Sequence, residues 1–163
     1  MRKQYSVFTV AFLALAFFVS SGFSSKAPSK YKCLVQLSNY TGEGAYVVVS
    51  LLNPKGEYQR TLHVFGKEER WYDDIPSWWV FFSKKKENLD GISGASITAG
   101  SRKVVSLTFD ESEIDSGYKL RFESSVENQK YVEQDLQMDL KAANVGVSKN
   151  GTGYIRYVKL IKI

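Results

Sequence analysis

An all-β fold, an antiparallel immunoglobulin-like β-sandwich with one short helical insertion, follows from three features of the sequence. Seven short segments either alternate apolar and polar residues with period two or run nearly continuously apolar. Turns rich in Gly, Pro, Asn and Asp separate them, and a single aromatic-rich stretch opening on a proline reads as helix. With 163 residues, 44% of them hydrophobic and 14% aromatic, the chain has apolar surface for one core, which excludes global disorder and most multidomain enzymes.

Residues 1–24 have the layout of a secretory signal peptide. Arg2 and Lys3 precede an apolar run from Val7 to Val19, and the small residues Ser20, Ser21, Gly22 and Ser24 follow it. The run falls short of the roughly 20 apolar residues of a membrane span, so cleavage is favoured over an uncleaved anchor. Residues 25–163 then form a single domain located in the periplasm or secreted, with 20 basic against 17 acidic residues and a net charge of +3. That balance is mild, and the basic residues are mostly interleaved with acids along the chain, so nucleic acid is disfavoured as a partner. The single Cys33 excludes an internal disulfide framework, and with His63 as the one histidine there is no cluster for a structural zinc.

The elements follow in order. Tyr31, Cys33, Val35 and Leu37 alternate with polar neighbours, a half-buried strand in which Cys33 is a small inward hydrophobe. Ala45 to Leu52 is apolar on both faces and reads as a central strand; Asn53-Pro54-Lys55-Gly56 turns it into a hairpin partner, Glu57 to Phe65. His63 falls on that partner and reads as structural. Pro76 suits the first turn of the helix, Asp74 is placed to accept its free N–H groups, and Lys84 to Lys86 suit its C-terminus. The aromatics from Trp71 to Phe82 read first as a plug closing one end of the core, and alternatively as a platform on which a ligand stacks through Trp78 or Trp79. A loop from Glu87 to Ser101 leads to strands around Val105–Phe109, Tyr118–Glu123 and Val132–Leu140, and a last strand, Tyr154–Ile163, follows a Gly/Ser/Asn-rich link.

The loop holds Asp90-Gly91-Ile92-Ser93-Gly94-Ala95-Ser96. An acid, two residues, Ser or Thr, then Gly-Ala-Ser/Thr resembles the flavin attachment motif of FMN-binding domains in bacterial electron-transport complexes. The resemblance implies FMN esterified to the last hydroxyl, Ser96, by an exported flavin transferase that takes it from FAD. The wider chain, through Leu52 to Gly56, Tyr58 to Val64, Trp71-Tyr72, Trp78, this loop with Gly100, and Asp115 to Tyr118, resembles the predicted periplasmic proteins grouped as domain of unknown function 2271. That second resemblance implies an immunoglobulin-type sandwich associated with flavin transferases and membrane electron-transfer proteins. Ser96 departs from the commoner threonine but keeps the hydroxyl.

Read physically, a hydroxyl that must enter another enzyme's active site needs an exposed loop with small neighbours, here Gly91, Gly94 and Ala95. Asp90, and more weakly Ser93, would accept backbone hydrogen bonds and hold the start of the loop. The expected function is a non-enzymatic exported accessory or electron carrier with FMN on Ser96. The candidate site comprises Asp90, Ser93, Gly94, Ala95, Ser96, Trp78 and Trp79. The alternative is a cofactor-free binding or scaffold sandwich that uses the Trp71 to Phe82 aromatics. A hydrolase is disfavoured because no nucleophile–base pair is readable.

Overall fold

The computed structural model describes residues 28–163, so the export segment expected at 1–24 lies outside the described residues. Nine strands are present there: β1 (Ser29–Leu37), β2 (Tyr46–Leu52), β3 (Tyr58–Phe65), β4 (Ser93–Gly94), β5 (Arg102–Phe109), β6 (Lys119–Ser125), β7 (Val132–Asp139), β8 (Ser148–Asn150) and β9 (Ile155–Lys162). One α-helix, α1, spans Pro76–Lys85. The strands form a four-stranded sheet, order β5-β1-β9-β8, and a five-stranded sheet, order β4-β3-β2-β6-β7. This is an all-β sandwich. Every pairing is antiparallel except β3 with β4, and the two strands beyond the seven expected, β4 and β8, are short edge pieces.

The main core lies between the sheets. Tyr31, Cys33, Val35 and Leu37 of β1 face Val47, Val49 and Leu51 of β2 and Leu120 and Phe122 of β6, all at most 2% exposed. Burial pushes the Cys33 thiol up to about 12, which makes it an inert core residue.

Since β2 is also apolar on its other face, a second cluster forms there: Val48 and Val64 pack beneath Tyr72, Ile75, Trp78 and Phe82. The helical insertion therefore covers the outer face of the five-stranded sheet; it does not plug an end of the core. Polar ties fix it in place. Trp78 Nε1 donates to Thr61 Oγ1 at 2.9 Å, Thr61 donates through its N–H and its hydroxyl to Glu87 Oε2, and the Tyr72 hydroxyl donates to the Gly66 carbonyl at 3.0 Å. The helix cap also differs from expectation. Ile75 is the N-cap and Pro76 the first helical residue, so Asp74 caps nothing; Lys86 closes the C-terminus in the left-handed conformation.

Two buried carboxylates tie loops to strands. Asp135 of β7 accepts from Ser124 Oγ (2.5 Å) and from the N–H groups of Thr152, Gly153 and Ile155 (3.0, 2.7 and 2.9 Å), fastening the link before β9. A Cβ at position 151 would stand 2.6 Å from Asp135 Oδ1, so Gly151 is required for this approach. Glu113 receives a bidentate contact from Arg60 at 2.5 and 2.8 Å. Burial opposes its charge, but the Arg60 hydrogen bonds and the Asp110 N–H outweigh burial and hold Glu113 below the usual carboxylate range.

Charge is unevenly divided between the two sheets. The strands of the four-stranded sheet carry two basic residues on β1, two on β5, one on β8 and three on β9, and no acid.

Phe122 is fully buried between the sheets, so Phe122→Ala should cost about 3–5 kcal/mol in chemical denaturation. A loss below about 1 kcal/mol, the scale of a surface change, would contradict this packing.

Candidate functional site

The free edge of β3 organises the site. After α1 the chain returns along that edge: Asn88 Oδ1 accepts the Asp90 N–H at 2.8 Å, and Gly91 takes φ +78°, which a Cβ would strain. Asn88 thus holds the start of the loop, the role expected of Asp90. No donor meets the Asp90 carboxylate among the described residues, and Asp90 is exposed. Ser93 and Gly94 then pair in parallel with Val64 and Phe65, the Val64 N–H donating to the Ile92 carbonyl (2.8 Å) and the Gly66 N–H to the Gly94 carbonyl (2.6 Å). Three residues past Gly94, Ile97 and Ala45 exchange both backbone hydrogen bonds, at 2.8 and 2.9 Å, and the Tyr40 hydroxyl braces the same pair.

The segment is therefore docked as an edge strand and is not a projecting loop. Ala95 and Ser96 alone bridge the gap between its two anchors, Ala95 exposed and Ser96 half-buried. Ser96 lies against Gly44, where a Cβ would stand 2.5 Å from Ser96 Oγ. The absent side chain of Gly44 is what leaves room for the hydroxyl.

Ser96 opens on a cleft of about 220 Å³. Gly44 and Tyr46 form one wall, the 3-10 turn Glu69–Asp74 supplies Arg70, Trp71 and Asp74, and Ser125 and Glu127 close the far side. Four carboxylates, those of Glu43, Glu68, Asp74 and Glu127, line it against one cation, Arg70. The guanidinium lies 5.2 Å from the centre of the Trp71 ring and 2.6 Å from Glu68. Burial, then the Glu68 charge, raise the Tyr46 hydroxyl above its ordinary range. Its ring meets the edge of Tyr72, so the cleft wall rests on the same cluster that seats α1.

The other expected site residues are placed elsewhere. Trp78 is fully buried, stacked on Phe82 at 4.8 Å and covered by the edge of Tyr72, and offers no face to a ligand. Trp79 is half-buried on Phe82 and Tyr72 and does not line the cleft. Trp71 is the tryptophan that does; its neighbours Tyr72 and Arg70 in the sequence carried no signal that separated it from the other two. Gly94 lies beside His63, a Cβ there standing 3.7 Å from His63 Nε2. Burial lowers His63 to about 4, and its ring packs on Phe65 at 4.5 Å. A buried carboxylate, Glu123, accepts from Tyr58 and Tyr131 at 2.6 and 2.5 Å; burial raises its pKa, and it lies outside the cleft. Among the described residues no cluster of His, Cys, Asp and Glu converges as metal ligands.

A family model described as a predicted periplasmic protein, domain of unknown function 2271, matches residues 28–157. The chain belongs to that family. The match spans β1 to β8, the helical insertion and the Ser96 segment, and ends within β9; its description places the family in the periplasm. No curated protein and no solved structure matches the chain. Among the described residues no helix is long and apolar enough to cross a membrane.

His63 beside the Ser96 segment predicts a pH dependence. Its folded pKa, about 4, lies below the ordinary 6.5, so the unfolded chain takes up a proton that the folded chain refuses. The contribution of His63 to stability should be fully present above about pH 6.5 and be lost as pH falls towards 4. Denaturation between about pH 7 and pH 5 should show this slope in the wild type and not in His63→Gln; equal slopes would contradict the burial of His63.

Proposed function

We propose that the protein is a periplasmic carrier of FMN, attached through a phosphoester to Ser96 and working between a flavin transferase and a membrane electron-transfer protein. One observation carries this reading: the Ser96 hydroxyl stands at a cleft, between two backbone anchors, in space that Gly44 leaves open. The residues fit the group. Ala95 adds little bulk at the approach, and Trp71 and Arg70, the one cation, line the cleft with Arg70 over the indole ring. The four carboxylates make free FMN, a dianion, a poor ligand; a tethered phosphodiester carries one negative charge, so covalent attachment suits this lining better than equilibrium binding.

In attachment, Ser96 Oγ forms the bond to the flavin-side phosphorus of FAD, the pyrophosphate bond breaks with AMP as leaving group, and the hydroxyl proton passes to the transferase. The transferase supplies the metal and the base, as phosphoryl transfer requires. A bound flavin supplies one- and two-electron transfer. This chain's residues would hold the attachment atom: the β3–β4 pairing fixes the segment that carries the serine, Gly44 leaves room for its hydroxyl, and Trp71 and Arg70 line the adjoining cleft. The cofactor-free alternative relied on a grip formed by the Trp71 to Phe82 aromatics, and the burial of Tyr72, Trp78 and Phe82 removes three of them.

Produced beside an active flavin transferase with FAD, the wild-type protein should gain the mass of one FMN phosphoester, and Ser96→Ala should gain none while its thermal midpoint stays within the small range of surface changes. Gly44→Ala should lower incorporation by crowding the hydroxyl. No added mass in the wild type would overturn the proposal. Mass persisting in Ser96→Ala would move attachment to Ser93, Thr98 or Ser101 and overturn the role of Ser96.

A further inference from the structure

We propose that the outer face of the four-stranded sheet docks on an anionic phospholipid bilayer. The strands of that sheet hold no Asp or Glu, whereas those of the five-stranded sheet carry Glu123, Glu133, Asp135 and Asp139 against Arg60, Lys119 and Arg121. Directly paired residues share a face, so the register sets out the outer surface in rows. Gln36 lies beside Arg102 and Tyr157, Leu34 beside Val104 and Lys159, and Lys32 beside Ser106 and Ile161. Lysine and arginine thus alternate with aliphatic side chains, and among the described residues no Asp or Glu lies on these strands. Val104 is 53% and Ile161 41% exposed, so both present aliphatic surface among the cations.

Arg102 makes the surface more than a diffuse charge. Gln36 Nε2 donates to the backbone carbonyls of Leu37, Gly100 and Ser101, which fixes the amide so that its Oε1 accepts from Arg102 Nε at 3.1 Å. Arg102 also donates to the Tyr157 hydroxyl at 2.9 Å. Both partners are neutral and among the described residues no carboxylate pairs with Arg102, so the guanidinium is oriented on the sheet with donors left for a phosphate. Cations with interspersed aliphatics on a flat face match a bilayer, whose phosphates meet the charges while the aliphatics enter the headgroup layer. The acid-lined Ser96 cleft belongs to the other sheet, and the role of this face does not depend on flavin attachment.

The exported protein should co-sediment with vesicles of phosphatidylglycerol and phosphatidylcholine, much less with phosphatidylcholine alone, and release in high salt. Lys32→Glu with Lys159→Glu should lower the partition coefficient by at least about thirtyfold, equivalent to about 1 kcal/mol for each lysine at an anionic surface. Lys55→Glu with Lys84→Glu changes the net charge equally on the turn and helix of the other sheet and should leave binding nearly unchanged. Ile161→Ser should weaken binding at low salt, where charge alone would not. Equal binding to neutral vesicles, equal loss in both double variants, or no binding to either vesicle would overturn the proposal. Capture by soluble polyglutamate without vesicle binding would also overturn it, and would assign the face to an acidic protein.

Discussion

The structure depends on β2 being apolar on both faces. A central strand with Val47, Val49 and Leu51 on one side and Val48 and Leu52 on the other cannot leave either side in water, since each such side chain is worth about 1.5–3 kcal/mol on burial. The facing sheet covers one side. The other needs a cover, and the stretch from Glu69 to Lys85 supplies it, with Trp78 and Tyr72 as its fully buried anchors. The site is a consequence of that cover. Trp71, Arg70 and Asp74 face the cleft because they sit on the 3-10 turn that Tyr72 pins, and the chain leaving α1 reaches the edge of β3 because Glu87 is held by Thr61.

Around this frame the buried charges are satisfied rather than avoided. An isolated carboxylate inside a protein costs several kcal/mol, so each one marks a place where donors converge. Asp135 has three backbone N–H groups and a serine hydroxyl, Glu113 has a bidentate arginine and a backbone N–H, and Glu123 has two tyrosine hydroxyls. Their net contribution to stability is modest. Their geometric contribution is larger, since none of these contacts survives a register slip of one residue, which would turn each side chain to the opposite face.

Much of the fold was legible in the sequence because period-two alternation reports one buried face directly. β1, β5, β6 and β7 announced themselves in this way, and the continuous run of β2 marked a strand covered on both sides. What covered it was not legible: Trp78 and Phe82, four apart, share a helix face, but nothing local says whether that face meets an end of the core or the outside of a sheet. β4 escaped notice because two residues have no periodicity, and a parallel pairing with β3 is a long-range event. The motif at Asp90 to Ser96 was visible as small residues and a hydroxyl, but its Gly44 neighbour lies far away in sequence and the roles of Asn88 and Trp71 depend on contacts rather than pattern. The absence of acids from the strands of one sheet was hidden for the same reason, since strands adjacent in the β5-β1-β9-β8 sheet are distant in the chain.

Functionally, the central point is that Ser96 is presented by a segment held to the sheet, with freedom confined to Ala95 and Ser96 themselves. Native-state hydrogen exchange tests this most directly, through the amides of Val64 and Gly66, which donate to Ile92 and Gly94, and those of Ala45 and Ile97, which bond each other. These four should be protected to nearly the same degree as the β2–β3 ladder, because opening them requires undocking the edge. Exchange of these amides at the rate of an open loop, with the ladder still protected, would contradict the account.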